Sequence, residues 1–144
     1  MAAWLLLVYK VSPEPTSRRV YVWRKLKRLG ALLLHDSIWV LPPTPYTREQ
    51  MQWLAAEIVE MEGEAIVWEA TLVSPEQEHV LVGQFQTQVE TAYSEILTEL
   101  QHTDCDREAL SRRYQQVQMT DYFHSEMGQQ VRQALMTVKG SDES

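Results

Sequence analysis

Cysteine is almost missing from this sequence: Cys105 is the single one in 144 residues. No intrachain disulfide can form, and the usage suits a reducing compartment. Glycine is also scarce, at five residues, and no glycine-rich loop is present that would cradle a phosphate. The G-x-S-x-G and H-E-x-x-H patterns of hydrolases and metalloproteases do not occur. The apolar run near the N-terminus is too short to span a bilayer, and it lacks a cationic leader and a cleavage site. The expectation is a soluble cytoplasmic protein that is not an enzyme, is not held at a membrane, and uses neither a metal nor a cofactor. His102 and Cys105 stand three apart beside Asp104 and Asp106, but no further soft ligand is close by in sequence.

What is present is a core-forming composition, 44% apolar with five tryptophans, and a strong asymmetry of charge. The tryptophans read as core residues. The net charge is -7, yet residues 1–48 hold eight of the thirteen basic residues and two of the twenty acidic ones. That segment is therefore positive by six and the remainder negative by thirteen. An acidic protein does not coat nucleic acid indiscriminately, but a local basic face can still take an anionic partner.

The apolar run Leu5–Val11 reads as a strand covered on both faces. Pro13 and Pro15 bend the chain, and Thr16 or Ser17 is placed to cap a helix. In that helix Val22, Trp23, Leu26 and Leu29 form an apolar stripe, and Gly30 sits at the terminating position. Residues 31–34 and 38–41 read as a hairpin turning at His35, Asp36 and Ser37. After the stiff stretch 42–46, Thr47 with Gln50 suggests a capping box for a helix carrying Met51, Leu54, Ile58 and Met61 and ending at Gly63. Residues 65–73 supply the fourth strand.

The order is βαββαβ, which predicts an α+β, ferredoxin-like domain over residues 1–73. An α-helical extension follows over 74–139. It opens at Ser74-Pro75, breaks near Asp121–His124 and leads to a disordered tail at 140–144. The strands are apolar on both faces while two helices cover one side of a four-stranded sheet. The other side then needs the C-terminal helices, a second copy of the chain, or both, and a homodimer is expected.

Two cationic groups stand out. Arg24, Lys25, Lys27 and Arg28 occupy the polar face of the first helix, with no acidic residue from 18 to 34. A sign-pure face with Tyr21 nearby suits a phosphate backbone such as that of DNA, although it reads no sequence by itself. If the first and third strands are parallel neighbours, Lys10, Arg18, Arg19 and Arg48 gather at one sheet edge, where both helices start. Cations at helix N-termini oppose the macrodipole, so this set suggests an anion site; the alternatives are pairing with Glu14 and Glu49, or snorkelling.

The segments W-L-L-L-V-Y-K-V, P-E-P-T-x-x-R, V-W-R-K-L-K-R-L-G-A-L, I-W-V-L-P, W-L-A-A-E-I and W-E-A, followed by R-R-Y-Q-x-V-x-x-x-D-Y-F at 112–123, together resemble the N-terminal domain of the ChrB family of chromate-resistance regulators. More distantly, the V-W-R-x-L-K-R-L-G-A segment and its hairpin are similar to the core of PaaX-type repressors and to small CRISPR-associated nucleases. The resemblance implies a chromate-responsive transcriptional regulator of a chromate-resistance operon, which binds DNA and senses chromate or a similar oxyanion. The alternatives are an accessory module that binds an oxyanion or a protein without DNA, and a relic of a metal-dependent nuclease. The CRISPR-associated nucleases carry an aspartate at the end of their first strand, where Lys10 stands here. A cation in the place of a metal ligand argues against nuclease chemistry.

Overall fold

The computed structural model describes residues 3–36 and 38–143, with side chains described as far as residue 137; of the tail expected at 140–144, residues 140–143 belong to the last helix and residue 144 lies outside that description. By internal packing the chain divides into two units, Met1–Glu78 and His79–Ser144.

The first unit runs β1 (Ala3–Lys10), α1 (Thr16–Arg28), β2 (Leu32–His35), β3 (Ile38–Leu41), α2 (Pro45–Glu60) and β4 (Glu64–Thr71). Its four strands form one sheet in the order β2-β3-β1-β4, with β3 and β4 both antiparallel to β1. The expectation that the first and third strands run parallel is therefore corrected. Helix α1 carries the chain over the sheet between β1 and β2. The tight hairpin then returns β3 between them, so β3 runs opposite to both.

The register pairs Leu5 with Leu41 and Glu69, and Leu7 with Trp39 and Val67. This set shares the face on which α2 lies, as the hydrogen bonds from Arg48 of α2 to Glu69 show. Val22 and Leu26 of α1, with Met51, Leu54 and Ile58 of α2, are buried completely or nearly so. Each such side chain contributes about 1.5–3 kcal/mol by leaving water. The opposite face carries Leu6, Val8, Ile66 and Trp68, of which Ile66 and Trp68 are exposed.

Two expectations about tryptophan and caps change. Trp4 and Trp39 are core residues at 3% exposure, whereas Trp23, Trp53 and Trp68 are 51%, 57% and 54% exposed. Trp23 misses the core because it lies about 100° around the helix from Val22, while Leu26 and Leu29 fall within about 40° of it. The cap of α2 is Thr44 rather than Thr47. The Thr44 hydroxyl accepts from Thr47 N at 3.0 Å, and the Thr47 hydroxyl accepts from Thr44 N at 2.8 Å. Pro45, at the first helical position, has no N–H to lose, so the helix begins one turn earlier than the Thr47–Gln50 pattern suggested. Neither Thr16 nor Ser17 caps α1; its N-cap is Pro15, with no side-chain hydrogen bond.

Both helices of this unit end in the same hydrogen-bonded way. In α1, Gly30 takes φ 78 and Ala31 N donates to Leu26 O. In α2 the left-handed residue is Glu62 (φ 65), and Gly63 N donates to Ile58 O. Gly63 is needed for space: a Cβ there would lie 2.6 Å from the Lys10 carbonyl oxygen and 2.9 Å from Ile58 Cγ2. Gly63→Ala should cost about 1–3 kcal/mol in urea unfolding, because the obstruction is backbone and cannot swing aside. A loss within the error of the titration would show that the β4 entry relaxes freely.

The second unit is built on α3 (Pro75–Leu100), which starts in the first, together with α4 (Arg107–Met119) and α5 (Glu126–Glu143). Ser74 accepts from Gln77 N at the start of α3, and Asp106 accepts from Ala109 N at the start of α4. Val89, Tyr93, Ile96, Leu110 and Val131 form its core, and the Phe85 ring meets Tyr122 and Phe123 edge-on or tilted. The break expected at 121–124 is present, with His124 at φ 53.

Buried Asp121 organises that turn, accepting from Tyr93 OH at 2.9 Å and from Ser125 N. Burial first, and then the hydrogen bond to the Asp121 carboxylate, hold the Tyr93 phenol above its ordinary value. An unfolded tyrosine ionises near pH 10. Above that pH the unfolded chain gives up this proton while the folded chain keeps it, so stability falls, by at most about 1.4 kcal/mol per pH unit. Thermal melts between pH 9 and 11 should show a steeper decline for the wild type than for Tyr93→Phe. Equal slopes would mean that another group governs alkaline unfolding.

Candidate nucleic-acid interface

The cationic residues separate into three environments. On the side of α1 that meets α2, charges are taken up internally. Lys25 Nζ lies 3.6 Å from Glu57 Oε1, and the Tyr21 hydroxyl donates to the other oxygen of that carboxylate. That hydrogen bond, with some help from burial, raises the Tyr21 phenol above its ordinary value. Arg18 donates to the Met61 carbonyl at 2.7 Å, closing the end of α2.

Arg48 sits elsewhere. It pairs with Glu69 through two hydrogen bonds of 2.6 and 3.0 Å, which hold the Glu69 carboxyl below its ordinary range. The antiparallel sheet puts the start of α2 at the Leu5 end of β1, whereas Lys10, Arg18 and Arg19 belong to the opposite end. Five strand residues separate the two ends, about 17 Å. The four edge cations therefore do not converge: Arg48 pairs with Glu69 and Arg18 with a carbonyl, and among the described residues none of the four pairs with Glu14 or Glu49.

The third environment is the outward face of α1. Arg24, Lys27 and Arg28 are exposed and make no ion pair among the described residues. Lys27 Nζ stands 5.8 Å from the Trp23 ring centroid, within cation–π range. Arg19 lies one turn before Trp23 and is also exposed and without an ion pair among the described residues. This gives a strip of unpaired cations around an exposed indole, held by Val22, Leu26 and Leu29 beneath. Such a strip can contact several phosphates at once and stack on a base.

Sequence reasoning found the charges but not the indole. The signal was available: Trp23 and Lys27 are one turn apart, and Trp23 falls off the centre of the apolar stripe. Among the described residues, no three His, Cys, Asp or Glu side chains come together as metal ligands, and no helix is long and apolar enough to cross a membrane.

Comparison with known proteins adds what geometry does not. No solved structure matches the chain significantly. Protein ChrB of Cupriavidus metallidurans is 32% identical over 98 residues, which cover 68% of this chain and 30% of that protein. The chain thus spans under a third of that relative's length. The sequence profile of the family described as "Protein ChrB, N-terminal" matches residues 19–120, a stretch that takes in most of α1, the hairpin, α2, β4, α3 and α4. The chain belongs to the ChrB N-terminal family.

Proposed function

We propose that this chain is a chromate-responsive transcriptional regulator, or the DNA-contacting part of one, acting on a chromate-resistance operon in the cytoplasm. Its βαββαβ unit is read as ferredoxin-like, which the antiparallel order β4-β1-β3-β2 supports. Arg24, Lys27 and Arg28 contact DNA phosphates. Lys25, drawn toward Glu57, contributes less. The observation that carries the reading is the unpaired, sign-pure cationic strip on α1 in a protein that is acidic overall. Such a strip is costly to keep for solubility alone, since interspersed acids would support the helix better. The response to chromate rests on family membership. A homodimer is supported by the exposed Ile66 and Trp68 on the sheet face opposite α2. The test is a binding titration against DNA from upstream of a chromate-resistance operon at about 50 and 200 mM salt. Binding that weakens steeply with salt supports the reading. No shift of any DNA at the lower salt rejects it.

A further inference from the structure

Next to the strip, the first unit has a cleft of about 390 Å³, lined by Tyr9, Thr16, Arg19, Val20, Trp23, Leu33, Asp36 and Trp39. Tyr9, Leu33 and Trp39 share one face of the sheet, because Leu33 pairs with Trp39 and Trp39 with Leu7. The other wall comes from the first two turns of α1, and Asp36 stands at the hairpin tip. The size is at the lower end of the range for small-ligand sites. Its composition is unusual for a mere surface dent. Three aromatic side chains, Tyr9, Trp23 and Trp39, and an aliphatic patch provide apolar surface, and Trp23 and Leu33 are both about half exposed. Arg19 supplies a cation without an ion pair, and Asp36 a carboxylate without one, among the described residues. Lys27, beyond the cleft, lies over Trp23.

We propose that this cleft takes one unpaired nucleotide of the bound nucleic acid strand. Its base stacks on Trp23 inside the cleft, and its phosphate meets Arg19 and Lys27. An intact duplex offers its phosphates to Arg24 and Arg28 but keeps its bases stacked, so only a bulged, frayed or extruded base fills the cleft. Asp36 then acts as acceptor for a base amino group. An aromatic platform beside a cationic strip is the arrangement that single strands use, because every base has a stacking face and every nucleotide a charge. The inference rests on the DNA-binding reading above and adds to it the state of the base.

The test uses the full chain with three probes of the same sequence: a continuous duplex, the duplex with one unpaired base, and adenosine monophosphate alone. The bulged duplex should bind about 5- to 150-fold more tightly than the continuous one, the range expected for one stacked base. Trp23→Ala should remove that preference, and Trp23→Phe should keep part of it. Equal affinity for both duplexes, unaltered by Trp23→Ala, overturns the cleft while leaving the phosphate strip standing. Free adenosine monophosphate binding as tightly as the bulged duplex also overturns it, since the site would then serve a soluble nucleotide. Loss of all DNA binding by the wild type instead removes the reading on which the inference rests.

Discussion

Arg24→Glu combined with Arg28→Glu is expected to lower DNA affinity on the order of 100-fold at about 100 mM salt, and to reduce the slope of log K against log salt by roughly 1.8. The slope follows from two lost phosphate contacts, each releasing about 0.9 of a counterion. Most of the affinity loss comes from the same source, with repulsion between the new carboxylates and the phosphates adding the rest. These two positions isolate the effect because neither arginine makes an ion pair among the described residues and both are exposed. Glutamate and arginine have similar helix propensities, so α1 survives the exchange. The residual cost is the dipole term at Arg28 in the last helical turn, about 0.3–1 kcal/mol. Lys25 is left alone because removing it would also free Glu57. Arg24→Lys with Arg28→Lys should retain the wild-type slope, since lysine keeps the charge. Superimposable titrations of the wild type and the reversed variant at both salts would rule out this face as the phosphate contact.

The second large effect is on stability. Leu26→Ala should destabilise the chain by about 2–5 kcal/mol. Leu26 is fully buried on the face of α1 directed at the core, and with Val22 and Leu29 it holds that helix. Truncation removes transfer free energy and leaves a cavity, which a close-packed interior closes only in part. The contrast is with Trp23→Ala, on the same helix but half exposed, where the change should stay within about 0.5 kcal/mol. Urea denaturation distinguishes them: Leu26→Ala lowers the midpoint with little change in m. If the two variants unfold at the same midpoint, the division of α1 into a buried stripe and an outward strip is wrong.

Much of the first unit was legible because its signals are local. Gly30 after an apolar stripe, Ser74-Pro75 before one, and a three-residue gap between short apolar runs each act through adjacent backbone groups. The same locality explains the break at 121–124, where the stripe slips phase and Asp121 gathers the turn. Thr44 was missed as a cap because the proline-rich stretch around it reads as a rigid bend, although Pro45 fits the first helical position without strain. The site was half legible. Charge purity from 18 to 34 is a property of composition, whereas the exposure of Trp23 depends on an angle around the helix that a list of apolar residues hides.

The sequence by itself determined the elements, their order and the sign of the charge on α1, because periodicity, capping chemistry and composition act within a few residues of chain. Only the tertiary structure decided which cations share a neighbourhood. With β3 inserted antiparallel between β1 and β2, Arg48 went to the far end of the sheet and to Glu69, Lys25 was drawn to Glu57, and Arg24, Lys27 and Arg28 were left facing outward beside Trp23. Partners such as Glu57 and Glu69 are remote in sequence, and the strand direction that sets their distances is fixed by how the whole sheet closes rather than by any one segment.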